Sequence, residues 1–196
     1  MEWGTATIYD RLKFDTNLKL EKKDFIFILF LFILITYLAF NISGKAQNHI
    51  IKSDGEGYYA WLPAVFIYND LNFKFYDSVE YNSAFCGNSQ DVPMLDYRKK
   101  FDGKTMNKYY PGASFMMLPF FLTAHFITLF FTHELPNGYS FWYFRLVPLA
   151  AFFYYFIGML FFLKLMGKLQ LNNNQKAIVI LLLTFGSNII YYLIDA

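Results

Sequence analysis

Ser53-Asp54-Gly55-Glu56-Gly57-Tyr58-Tyr59-Ala60-Trp61-Leu62-Pro63 sets two carboxylates and two glycines at the head of an aromatic segment. The stretch follows the first long apolar run and opens the one large polar region of the chain. It reads as a segment lying against a bilayer surface, and the rest of the chain reads as what holds it there.

Working outward, three uncharged apolar runs of eighteen residues, 25–42, 146–163 and 177–194, lie on either side of the polar region. About 20 apolar residues in a helix cross a hydrocarbon core about 30 Å thick, so each run is long enough to span. With 22% aromatic residues and a mean hydropathy of +0.28, the chain falls outside the composition of soluble globular proteins. A fourth uncharged run, 109–132, is interrupted by Pro111, Pro119 and His125. The net charge of +2 is spread over several loops, which argues against a nucleic-acid partner. Cys86 is the single cysteine and has no intrachain disulfide partner.

Charge sets the expected topology. Residues 1–24 carry Arg11, Lys13, Lys19, Lys22 and Lys23 among five acids, and no small-residue cleavage site follows the apolar run. Residues 25–42 therefore read as an uncleaved signal anchor with a cytoplasmic N-terminus, because basic residues concentrate on the cytoplasmic side. Residues 43–111 then form an outer loop, periplasmic in a Gram-negative cell, with an interfacial helix over 56–68. If 112–132 lies at or dips into the outer face, a span over 144–163 returns to the cytoplasm. Lys164, Lys168 and Lys176 then sit in a cytoplasmic loop over 164–176, as the charge bias prefers, before a last span over 177–194. Four ordinary spans, with 112–132 crossing, is the other arrangement. The fold class expected is thus all-α integral membrane, with three transmembrane helices plus juxtamembrane helices. A chain that stops one residue after Asp195 also reads as the front part of a larger protein.

Within the outer loop, Asp54 and Glu56 have two readings. Ser53-x-x-Glu56 has capping-box spacing, and acids favour a helix N-terminus. Alternatively, one carboxylate is a general base toward a hydroxyl, with Gly55 and Gly57 letting a substrate approach the backbone. Lys108, where the loop returns to the membrane, either snorkels or holds the phosphate of a lipid carrier. Tyr58, Tyr59, Trp61 and Tyr109 suit either an aromatic belt or the wall of a site. Arg98-Lys99-Lys100 reads as a solvated loop or as a contact for anionic headgroups, and Asp70 reads as the end of the interfacial helix and the start of a turn. His49, His125 and His133 lack ligand spacing, so no metal site is expected.

Asp54-Gly55-Glu56-Gly57-Tyr58-Tyr59-Ala60, after one span and before a juxtamembrane helix, resembles the acidic motif of polytopic glycosyltransferases of the GT-C superfamily. That superfamily includes the protein O-mannosyltransferases and lipid A aminoarabinose transferases. Asn107-Lys108-Tyr109-Tyr110-Pro111-Gly112 is similar in position to the lysine-proline segment that opens their second juxtamembrane helix. Two departures stand out: Gly55 separates the acids, and Asn107 replaces the usual acid before the lysine. The resemblance implies that Asp54 is the catalytic aspartate, with Glu56 beside it, and that Lys108 contacts the donor phosphate. It also implies a polyprenyl-phosphate-sugar donor, an acceptor hydroxyl on lipid, glycan or protein, and a place in the bacterial inner membrane among its lipids. No cofactor is expected, and the question of an assisting divalent ion stays open. The competing readings are a non-enzymatic scaffold or transporter component, and a prenyl-phosphate-binding protein without chemistry.

Overall fold

The computed structural model describes residues 22–42, 51, 54–80, 97–102 and 104–195. The basic N-terminal residues before Lys22, the capping residue Ser53, and Cys86 with the loop around it lie outside these residues.

Helix α1 (Lys22–Ile42) has no glycine or proline and carries Asp24 in its first turn, where a carboxylate favours the unsatisfied amides. Ile28, Leu31 and Ile35 recur on one face and are buried, while Ile26, Phe30, Ile33 and Tyr37 face away from the protein. A helix that is apolar all round needs a second apolar surrounding.

The polar region begins, among the described residues, with a helical run from Asp54 to Tyr68 in three pieces. These are α2 (Asp54–Tyr59), α3 (Trp61–Pro63) and a wide π-type segment, Ala64–Tyr68. Pro63 has no N–H to continue the α-helical ladder, and the turn opens just beyond it. Asn69, in the left-handed region (φ 47°), ends the run. Asp70 then caps the following turn, its carboxylate accepting from the N–H groups of Asn72 (2.9 Å) and Lys74 (2.7 Å). The run thus begins two residues before the helix expected over 56–68, and Asp70 starts a turn as expected. A second π-type segment covers Tyr76–Glu80.

The all-α expectation needs correction. Strands β1 (Arg98–Phe101) and β2 (Lys104–Asn107) form an antiparallel hairpin, with Arg98 opposite Asn107 and Lys100 opposite Thr105. Their charged sequences, RKKF and KTMN, lack the apolar alternation that marks a half-buried strand.

Helix α4 (Gly112–Phe131) runs unbroken through Pro119, whose carbonyl accepts from the Thr123 hydroxyl (2.8 Å). Helices α5 (Phe141–Leu146) and α6 (Leu149–Lys168) adjoin through Val147 and Pro148. Among the described residues, two helices are long and apolar enough to cross a membrane: α4, and the combined run Phe141–Lys168. Of their most apolar windows, 22% and 28% respectively is buried by the protein itself, where the core helix of a soluble protein is mostly covered. Their bare apolar faces are suited to lipid.

The continuous helix expected over 177–194 is divided. Helix α7 (Asn173–Phe185) starts at a capping box formed by Asn172 and Gln175 and stops at Gly186, whose N–H reaches the Leu182 carbonyl (2.8 Å). The Ser187 hydroxyl takes the Leu183 carbonyl (2.5 Å), and α8 (Ile189–Asp195) follows. Gly186-Ser187-Asn188 therefore interrupts the helix.

Among the described residues the buried hydrophobic side chains form three clusters, the smallest being Ile35, Phe152 and Leu193. Ile28, Leu31, Met159, Leu163, Met166 and Ile180 join α1, α6 and α7. Beside this cluster Lys176 Nζ meets Asp24 Oδ2 at 3.0 Å, both side chains nearly buried. The largest core, including Tyr59, Phe73, Tyr97, Phe121, Tyr139 and Tyr143, fixes the polar region against α4 and α5.

Candidate functional site

The site forms where the exit of β2 is laid along the first turns of α2. Asn107 makes the junction: its Nδ2 donates to the Gly57 carbonyl (2.7 Å), and its Oδ1 accepts from the Tyr109 N–H (2.9 Å). The Lys108 N–H donates to the Tyr97 carbonyl (2.9 Å), and Trp61 Nε1 donates to the Tyr109 carbonyl (2.9 Å). Residues 107–109 are thereby held on both sides, so the Tyr109 ring is placed by backbone geometry rather than by its own contacts alone.

That ring lies directly on Gly57. A Cβ at Gly57 would stand 2.0 Å from Tyr109 Cδ2, so only a glycine admits the ring. The room at Gly57 that the sequence suggested for a substrate is filled by Tyr109. The Tyr109 hydroxyl donates to Asp54 Oδ1, Lys108 Nζ stands 5.0 Å from the Tyr109 ring centroid, and the Tyr58 ring tilts against it with centroids 5.0 Å apart. Asp54, Lys108, Tyr58 and Tyr109 are therefore brought together, with Tyr109 linking acid to cation. Asp54 and Lys108 are exposed and Tyr58 and Tyr109 half-buried, so the group meets solvent. The bond to Asp54, then burial and the neighbouring negative charges, push the Tyr109 phenol up to about 12. At neutral pH it stays protonated and donates.

Glu56 is different from Asp54. It lies one helical turn before Tyr59 and Ala60, on the inward face of α2, and is 7% exposed. Its Oε2 is buried without a hydrogen-bond partner among the described residues. Burial pushes its carboxyl up to about 7, since the charged form loses its water. The sequence left Glu56 as a cap or a partner acid. The spacing Glu56, Tyr59, Ala60, Pro63 was the available signal that it faces the core.

Two of the expected lining residues sit elsewhere. Tyr59 is 0% exposed, its hydroxyl donating to the Gly138 carbonyl and its ring edge-on to Tyr139 and Phe121. It belongs to the core because it falls on the helix face opposite solvent. Trp61 spends its N–H on Tyr109 and packs its ring edge-on against Phe73, so it braces the site without walling it. Asn107, which the sequence marked as a departure, is the residue that seats Tyr109.

No family model, curated protein or solved structure matches this chain. The chemistry of the group rests on its own geometry: an exposed carboxylate, a protonated phenol and an exposed ammonium. Such a set can accept a proton from a hydroxyl and offset negative charge on a leaving group.

Proposed function

We propose that this chain is a GT-C-type transferase module that moves a sugar from a polyprenyl-phosphate carrier to an acceptor hydroxyl at the outer face of a bacterial inner membrane. The observation that supports it best is that the Tyr109 ring, with Lys108 beside it, reaches Asp54 at the start of α2 and so brings acid and cation together. In this reading α1, with its apolar surface on all sides, is a further membrane span beside the two candidate spans, and the N-terminus is cytoplasmic. The donor phosphate meets Lys108, and the acceptor hydroxyl, on lipid, glycan or protein, approaches Asp54. As the acceptor oxygen bonds to the anomeric carbon, its proton passes to the Asp54 carboxylate. The bond from that carbon to the phosphate oxygen breaks, and polyprenyl phosphate leaves with the electron pair, its charge offset by Lys108. Tyr58 lines the approach, while Tyr109 holds Asp54 in place.

A binding-only reading is favoured by one observation, the occupation of Asp54 Oδ1 by the Tyr109 hydroxyl, which makes the acid a clamp as much as a base. Transfer from a radiolabelled polyprenyl-phosphate sugar in proteoliposomes separates the two. Asp54→Asn should slow transfer by about 10²- to 10⁴-fold with donor binding retained, the usual contribution of a placed general base. Lys108→Gln should weaken donor binding. Unchanged transfer by Asp54→Asn removes the enzymatic assignment, and donor binding without any transfer by the parent leaves a carrier-binding protein.

A further inference from the structure

Away from the Asp54 group, Asn72, Lys74, Asp77, Arg98, Lys100 and Thr105 line a cavity of about 270 Å³. One wall is the turn after the 54–68 helical run. Phe73 is buried there, in the left-handed region (φ 53°), and anchors the turn between the exposed residues Asn72 and Lys74. The Asp70 carboxylate holds the N–H groups of both, so this wall is set before any ligand arrives. The other wall is one face of the hairpin, where Arg98 and Lys100 alternate and Thr105 stands opposite Lys100.

Charge within the cavity is unbalanced. Arg98 grips Asp77 through two hydrogen bonds of 2.9 Å and lies 4.0 Å over the Tyr76 ring, which fixes the guanidinium plane. The Arg98 hydrogen bond holds the Asp77 carboxyl below its usual range, so it stays charged and offsets Arg98. Lys74 and Lys100 then remain as two positive charges, and neither has a carboxylate partner among the described residues. Ammonium groups beside a hydroxyl and an amide are the donor set that meets a phosphate oxygen.

We propose that this cavity binds the phosphoryl dianion of a phosphomonoester, with Lys74 and Lys100 supplying the charge and Asn72 and Thr105 the neutral donors. The volume is below the roughly 300–1,000 Å³ of sites that enclose a whole drug-sized ligand, so it takes a phosphorylated head and leaves the remainder outside. The dianion comes either from a soluble phosphomonoester or from the headgroup of a lipid. The site is separate from Asp54 and holds whether or not the chain transfers sugar. Arg98 does lie opposite Asn107 across the hairpin, so both sites draw on the same two strands.

Titration calorimetry of the detergent-purified protein with glycerol phosphate tests the soluble source, and binding to phosphatidic-acid vesicles against phosphatidylcholine vesicles tests the lipid source. Saturable, salt-sensitive binding in either arm is expected. Lys74→Gln and Lys100→Gln are exposed substitutions that should each weaken it about tenfold, the loss of one charge-assisted contact. Asp54→Asn should leave it unchanged, so failure here and failure of the transferase reading are told apart. No saturable binding in either arm overturns the proposal, as does binding that survives in the Lys74→Gln/Lys100→Gln double variant.

Discussion

The Tyr109 hydroxyl donates to Asp54 Oδ1 across 55 positions of the chain. Removing the hydroxyl while keeping the ring isolates that bond. Tyr109→Phe should fold with the ring still seated on Gly57 and lose about 1.5–3 kcal/mol, the range for a hydrogen bond to a charged group. Denaturant unfolding in detergent reads this, and a variant as stable as the parent would mean that the bond contributes nothing.

Gly57→Ala should be damaging for a steric reason. The new methyl meets Tyr109 Cδ2 at 2.0 Å and Cε2 at 2.7 Å, so the ring must leave Asp54. Overpacking of this kind costs about 1–3 kcal/mol, beyond the roughly 1 kcal/mol that alanine gains over glycine in a helix. Gly158→Ala is the control: nothing lies within 4 Å of its Cβ position, and it should be neutral or stabilising. Equal thermal midpoints for the two variants would contradict the ring placement.

Glu56 should make stability depend on pH with a definite sign. Its carboxyl moves from 4.5 to about 7 on folding, so the folded protein holds a proton that the unfolded chain has released. Its contribution is fully present below pH 4.5, falls through the window between there and about 7, and is lost above it. Glu56→Gln should flatten the stability profile across that window. A parent whose stability rises between those limits, with the slope unaffected by Glu56→Gln, would contradict this.

The Asp24–Lys176 pair ties α1 to α7 at 3.0 Å with both side chains nearly buried. Lys176→Met leaves Asp24 uncompensated and should cost about 3–5 kcal/mol, whereas Asp24→Asn combined with Lys176→Met should recover most of the loss. A double-mutant cycle measured by thermal unfolding tests the coupling. Additive losses would show that the two residues act separately.

How far the sequence reached depended on the range of the interaction. The apolar runs announced α1, α4 and the Phe141–Lys168 helix, because uninterrupted hydrophobicity is a local signal. The helical character of 54–68 and the Asp70 turn were equally local, set by aromatic spacing and by an Asx side chain bonding its own backbone. The hairpin was hidden because its strands are charged and its register is fixed by pairing, not by a buried face. Asp54 and Lys108 were legible as residue types, but Tyr109 as their connector was not. Its position depends on Asn107 reaching Gly57 across 50 positions. Gly57 itself was read as empty space, since sequence alone does not show which neighbour fills it. The break at Gly186-Ser187-Asn188 was not foreseen, since 177–194 reads as one apolar run, and it is the Gly186 amide closing on Leu182 that marks the stop.

That stop has a mechanical consequence. Leu182 and Leu183 carbonyls, which a severed helix would leave bare, are served by the Gly186 amide and the Ser187 hydroxyl. The Ile189 amide turns back to the same hydroxyl at 3.3 Å. Because the cut ends are satisfied within a few residues, the break leaves neither of these two carbonyls of α7 bare. Past the break α8 takes its own direction, and its Leu193 is buried against Ile35 of α1 and Phe152 of α6, clasping the first helix to the bundle.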